Sequence, residues 1–337
     1  MPLTTVSNGR TYDWSYAVGR AAATGTGFNY PQTMCLGNDG DIFVANRGNE
    51  NNFGQRVNRV QLGAPGEEEL LAEFFTWGEG EGQCSWPFGV AVDSQNAVYV
   101  SDEWTNTISV FHGNGTFIRK WGSAGNGDGE LFRPAGLACD KNDNLIVVDS
   151  GNNRIQVFTG DGKFLAKYGK GGTGDGEFDQ PWGITLDAAG NIYVADWKNH
   201  RIQKLSPEGE FLMKIGEYGI VPAAADAFAV TYLGPHISTT PPAEYPKAGL
   251  LNHPTDVAVD NDGDIYIADW GNHRISIFDA QGRPLTNLLG DAQVMSKWGQ
   301  QSIDANPDMM KALRRVRTSP EHRPADWSAA VPAHRKY

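Results

Sequence analysis

Four segments of the chain superimpose almost without adjustment: WPFGVAVDSQNAVYVSDEWTNTISVF (86–111), RPAGLACDKNDNLIVVDSGNNRIQVF (133–158), QPWGITLDAAGNIYVADWKNHRIQKL (180–205) and HPTDVAVDNDGDIYIADWGNHRISIF (253–278). A weaker fifth copy starts at Pro31 and runs through GDIFVAN to NRVQL. From Pro31 onward the repeat prolines are 56, 47, 47 and 73 residues apart. Two equal steps of 47 with one internal pattern mark a unit that cannot bury its apolar face alone and must stack on its neighbours. A period of this length lies in the range of propeller blades.

Each copy resolves into strands by its own chemistry. GITLD alternates small and branched residues and is expected innermost, with NIYVAD second, RIQKL third, and KFLAKYG or EFLMKIG outermost. Turn residues at regular spacing between alternating runs predict four-stranded blades. The expected fold is therefore an all-β propeller of the six-bladed type. Five blades are recognisable over 31–290, with innermost strands starting at Gln32, Phe88, Ala135, Trp182 and Thr255, and a sixth blade is degenerate or missing. Helical periodicity is absent through residue 290.

The ends suggest how the ring closes. Gly19 to Pro31 is a 12-residue interval, as are Gly122 to Pro134 and Gly169 to Pro181. Residues 14–19 (WSYAVG), within an N-terminal segment 1–30, thus resemble an outermost strand belonging to the last blade. The three inner strands of that blade would have to come from residues 291–337, which instead show a helix-like piece, NPDMMKALRRVR, and an irregular tail. An open ring would leave room for a second chain. Two loops also depart from the repeat. Taking Arg59 as the partner of Asn46 makes the loop RGNENNFGQRVN eight residues longer than its counterpart, and a 26-residue insertion lies between Gly216 and Pro254. Both fall on one face of the disc, and loop elaboration confined to one face points to its use.

Charge narrows the partners. A formal net charge of −12 disfavours the phosphate backbone, so no nucleic-acid partner is expected. No stretch reaches the length of a membrane span and the N-terminus lacks an apolar signal region, which makes a cytoplasmic location the default and a membrane partner unexpected. Cys35, Cys84 and Cys139 form no CxxC pair, and a disulfide framework is not expected.

The pattern P-x-G-[IVL]-x-[VL]-D, then N-[IL]-[YI]-V-x-D, then N-x-R-I-x-[VK]-[FL], with the linker GxxGxGDGEFxxP, resembles the NHL repeat. The resemblance covers roughly residues 14–290. It implies a propeller, and it extends to peptidylglycine amidating lyases and to gluconolactonase-like proteins. NHL propellers include enzymes, RNA binders and protein-interaction modules, so fold alone does not choose among them.

The Asp closing each second strand (Asp102, Asp149, Asp196, Asp269) and the Arg of N-x-R (Arg154, Arg201, Arg274) recur with the blades, which predicts a structural clamp. His200 and His273 recur in the same way. An enzyme should break the repeat at the channel mouth. The amidating-lyase resemblance implies zinc-binding histidines directly after the repeat prolines, but Gln32, Phe88, Ala135, Trp182 and Thr255 stand there. A calcium-bearing hydrolase would use oxygen ligands instead, for which Gln32, Asn46 and Asp256 are the candidates and Glu103 lies near. The same face is rich in aromatics, and Arg47, Phe88, Glu103, Trp104, Trp182, Trp197, Trp270 and His253 are the candidates for contacting a protein partner or small molecule. Two functions stay open: a binding propeller, or a lyase or hydrolase that would need calcium or zinc at the channel mouth.

Overall fold

The computed structural model describes residues 4–7, 10–13, 18, 22, 24–48, 54–64, 67–220, 249–288 and 301. Five four-stranded antiparallel sheets follow one another along the chain, each a simple meander. Blade 1 comprises Pro31–Leu36, Ile42–Arg47, Gln55–Gln61 and Glu69–Phe74, and blade 2 comprises Pro87–Val92, Ala97–Asp102, Thr107–His112 and Phe117–Trp121. Blade 3 comprises Pro134–Cys139, Leu145–Asp149, Arg154–Phe158 and Phe164–Tyr168. Pro181–Leu186, Ile192–Asp196, Arg201–Leu205 and Phe211–Ile215 build blade 4, and Pro254–Val259, Ile265–Asp269, Arg274–Phe278 and Pro284–Leu288 build blade 5. Every first strand begins one residue earlier than expected, on its proline, which needs no ladder donor at that position.

The repeat glycine has a direct cause. First strands of successive blades lie side by side, and a Cβ on Gly89 would sit 2.2 Å from the Ala135 carbonyl oxygen, and one on Gly136 2.5 Å from that of Trp182. A side chain there would push against backbone, which cannot rotate away. Blade 1 has Thr33 instead, and its hydroxyl donates to the Phe88 carbonyl at 2.8 Å. In blade 5 the position is Asp256.

Between blades the apolar residues form separate cores. Phe43, Val57, Val90 and Phe111 join blades 1 and 2; Tyr99, Ile108, Leu137 and Phe158 join blades 2 and 3. Ile146, Val148, Ile184 and Leu205 join blades 3 and 4, and Tyr193, Ile202, Val257 and Ile265 join blades 4 and 5. Among the described residues these four interfaces join the five blades, and on the first strand of blade 1 Met34 is 64% and Leu36 76% exposed.

In blades 3, 4 and 5 the recurrent Asp–Arg pair is a clamp that ties the blade to the linker entering it. In blade 4, Asp196 accepts from the Asp179 backbone N–H (2.8 Å), Asn199 (2.9 Å), Arg201 Nε (2.8 Å) and Gln203 (3.0 Å). Arg201 donates onward to the carbonyls of Thr173, Gly174 and Glu177 in that linker. Blade 3 repeats the scheme with Asp149 and Arg154.

Blade 1 corrects one alignment. Asn46 pairs in register with Arg56, not Arg59, and Arg56 donates to the Ala22 and Gly27 carbonyls at 2.9 Å. Asn46 to Arg56 spans ten residues where Asp149 to Arg154 spans five, so the loop is expanded by five rather than eight. Ala22 and Gly27 thereby occupy the place of an entering linker. The closing strand expected at 14–19 and the segment 291–337 lie outside the described residues, apart from Val18 and Gln301, as does most of the insertion before Pro254. A hairpin of Thr4–Ser7 and Arg10–Asp13 precedes the arc, an element without a sequence expectation.

Candidate functional site

Clamp geometry fixes which face carries the site. The turns between second and third strands and the linkers between blades meet on one face, because each arginine joins the one to the other. In blades 3, 4 and 5 that turn is a single 3-10 turn, Ser150–Asn152, Trp197–Asn199 and Trp270–Asn272, closed by a left-handed Asn153, His200 or His273. The left-handed residue hands the chain to the next blade. Asn106 Oδ1 accepts the Arg133 N–H and Asn153 Oδ1 the Gln180 N–H, both at 2.7 Å, and His200 Nδ1 accepts the His253 N–H at 3.1 Å.

Two ring positions result, each filled once per blade. One is the residue after the clamp position: Arg47, Glu103, Ser150, Trp197 and Trp270. The other precedes the repeat proline: Tyr30, Trp86, Arg133, Gln180 and His253. At three of the four described boundaries the first position of one blade meets the second position of the next. The Arg47 guanidinium lies 4.4 Å over the Trp86 ring, Glu103 Oε1 accepts from Arg133 Nε at 2.8 Å, and Trp197 lies 4.8 Å from the His253 ring.

These contacts sort the expected residues into two groups. Over blades 1 to 3, Arg47 also pairs with Glu103 Oε2 at 3.1 Å, and Trp86 packs on Trp104 at 5.0 Å. Over blades 4 and 5, Trp182 stacks face to face on Trp197 at 4.8 Å, His253 lies 4.3 Å from His200, and His200 lies 4.3 Å from Tyr218. Phe88 meets Trp182 edge to face at 5.6 Å, so aromatics from blades 2 and 4 meet across blade 3, which has small Ala135 at the same place. The Trp197 indole N–H is buried with no hydrogen-bond partner among the described residues. Trp104 and Trp270 are each 57% exposed on this face.

The oxygen ligands considered for a cation do not converge. Asn46 is buried inside the blade 1 clamp, accepting the Asn29 N–H and donating to Val44 O and Asn58 Oδ1. Gln32 donates to the Tyr30 carbonyl at 3.1 Å. Asp256 stands against Gly183, accepts the Val257 N–H at 2.9 Å, and burial pushes its carboxyl up to about 7. Among the described residues no three His, Cys, Asp or Glu side chains gather closely enough to hold a metal ion. The cysteines are no better placed for chemistry, since burial raises all three thiols, Cys35 to about 12.

Sequence reasoning missed Arg133, His200 and Tyr218. Arg133 had a signal, because it fills the same place before proline as His253. His200 was assigned to the repeat, and it does serve the repeat by accepting the His253 N–H. That bond puts its proton on Nε2. His253 in turn donates from Nδ1 to Asn252 Oδ1 at 2.8 Å, leaving its Nε2 as a free acceptor.

Both imidazoles are held below the ordinary histidine range. Burial lowers His200, with the His253 ring adding to it and Asp269 opposing, and burial lowers His253. The folded state therefore resists protonation that the unfolded chain accepts near pH 6.5. Stability is full above about 6.5 and is lost as pH falls from there through the folded values. His200→Asn, which keeps an acceptor for the His253 N–H as Asn106 and Asn153 do, should flatten the decline in melting temperature between pH 7 and 5. An unchanged slope in that variant would remove His200 from the effect.

Comparison with known proteins agrees with this architecture. Residues 178–205 and 251–278 match the NHL repeat, and residues 91–156 match a family described as a 6-bladed beta-propeller. No curated protein matches the chain. Among solved structures the chain is similar to one in a nidogen/laminin complex, at 17% identity over 86% of this chain and 93% of that one, with a TM-score of 0.53. It is also similar to a streptogramin B lyase at 16% identity, covering 87% of this chain and 77% of that one, with a TM-score of 0.50. At these identities the likeness is one of fold. No helix among the described residues is long and apolar enough to cross a membrane.

Proposed function

The chain is a β-propeller carrying NHL repeats, and from that premise we propose that it is a binding module whose working surface is the clamp face. The observation that carries this reading is the rim itself. Two positions per blade meet across three of the four described boundaries, and their side chains change from guanidinium and carboxylate to indole and imidazole. Residues needed only for folding repeat, as the clamp does, whereas rim residues vary. Exposed tryptophan beside fixed charge is the composition of recognition surfaces. A partner is a protein or a small ligand that spans the rim.

The test is a Trp104→Ala, Trp270→Ala double variant. Partners captured by the immobilised full chain are purified and their binary affinities measured against parent and variant. Loss of two exposed aromatic anchors should weaken binding by about 30-fold, corresponding to ~2 kcal/mol. Equal affinity for both forms would move the working surface elsewhere.

A lyase or hydrolase at the channel mouth is a second reading. It is favoured by two groups at the start of blade 5, the carboxyl of Asp256, which burial pushes up to about 7, and the His253 Nε2 left as an acceptor. Hydrolysis or elimination of an ester or lactone by the purified chain, lost in Asp256→Asn, would favour it over the binding module.

A further inference from the structure

We propose that the rim over blades 1 to 3 recognises an oxyanion, a carboxylate or phosphate borne on a flat apolar group. This rests on the reading that the clamp face binds ligands and names the chemistry of one part of it. The centre is Glu103, 8% exposed, which hydrogen-bonds Arg133 through Oε1 and has Arg47 within ion-pair distance, 3.1 Å, of Oε2, an oxygen left without a hydrogen-bond partner. One carboxylate cannot neutralise two guanidinium groups, so a positive charge remains at this spot on a chain of net charge −12.

The surplus is not required by the fold. The same two ring positions between blades 3 and 4 are Ser150 and Gln180, and that interface is built without charge there. If bracing the blades were the whole purpose, one arginine on Glu103 would suffice.

Both guanidinium groups also have N–H donors left over. Arg47 only approaches Glu103 Oε2 as an ion pair while its plane rests on Trp86, and Arg133 uses Nε and Nη2 on Glu103 Oε1. Buried Glu103 and the indole fix the two forks before any ligand arrives, which reduces the ordering that binding must otherwise impose. Planar donors of this kind match the paired oxygens of a carboxylate or phosphate. Trp86 and Trp104, packed together and open to solvent, lie beside the arginines and offer a surface for the flat part.

The test titrates the full chain with phenyl phosphate, benzoate, inorganic phosphate and neutral benzyl alcohol, following indole N–H signals by nuclear magnetic resonance. Phenyl phosphate and benzoate should both saturate the Trp86 and Trp104 signals, and whichever binds tighter tells phosphate from carboxylate. Benzyl alcohol and inorganic phosphate should each bind at least 10-fold more weakly, since each lacks one half of the recognised group. Arg47→Gln and Arg133→Gln should each weaken phenyl phosphate at least 10-fold. Arg47→Lys, which keeps the charge but loses the fork, should fall between parent and Arg47→Gln, at an unchanged melting temperature. Equal binding by parent and both glutamine variants, or equal binding of benzyl alcohol and phenyl phosphate, overturns the proposal. If the anion titrations fail while the Trp104, Trp270 double variant still loses its partner, the oxyanion site falls and the binding module stands.

Discussion

Asp196→Ala should destabilise the protein by about 3–5 kcal/mol, the cost of leaving a buried guanidinium without its carboxylate. Asp196 is fully buried and takes four donors at once, and Arg201 beside it is 6% exposed. Its removal strands the Arg201 charge together with three polar donors. At roughly 2–4 °C per kcal/mol for chains of 150–250 residues, the melting temperature should fall by about 10 °C. Asp196→Asn should cost much less. Blade 1 shows why: Asn46 fills the clamp position and still accepts the backbone N–H of the entering linker, at 2.8 Å. A scanning calorimeter separates the two, and equal losses for Ala and Asn would mean that acceptor geometry is irrelevant to the clamp.

Deletion of residues 291–337 should have a comparable or larger effect. Both ends of the described arc carry fittings for one more blade. At the leading end, Arg56 holds Ala22 and Gly27 as the other blades hold an entering linker, and Met34 and Leu36 lie open. At the trailing end, His273 stands where Asn106, Asn153 and His200 each accept an N–H from the next blade, and Asp256 stands where a neighbouring strand would press. Uncovering a blade face of roughly 300 Å² of apolar area at about 25 cal/mol per Å² costs about 7 kcal/mol. The truncated chain should melt far lower or aggregate. A monomer of unchanged melting temperature would show that the slot is filled without those residues.

The blades were legible because their determinants are local. Proline at the strand start, glycine under a neighbour's carbonyl and the Asp–Arg clamp each recur at fixed spacing. Alignment failed at Arg56 because an expanded turn displaced it and Arg59 three residues later offered the same side chain. The candidate residues were legible singly but not as a pattern. Glu103 gave no hint from its own position that it meets Arg133, thirty residues on, since that contact depends on how one blade twists against the next. Asn46 misled for a related reason: an oxygen-bearing residue at a strand end looks like a ligand until the Asn29 N–H is seen to occupy it.

The separation between clamp and rim has a consequence for how such a surface can diversify. Clamp hydrogen bonds run from the aspartate outward into the linker, while rim side chains project from the very next residue and from the residue before proline. The two sets interact little, apart from His200. A substitution at Arg47, Glu103, Trp197 or His253 can therefore rewrite what the surface reads without endangering the scaffold that displays it. On the proposed reading, the pairs of rim residues at successive boundaries together set what the surface binds. Mutations accumulating under relaxed constraint would alter these pairs first, one boundary at a time, while the disc beneath them stayed the same.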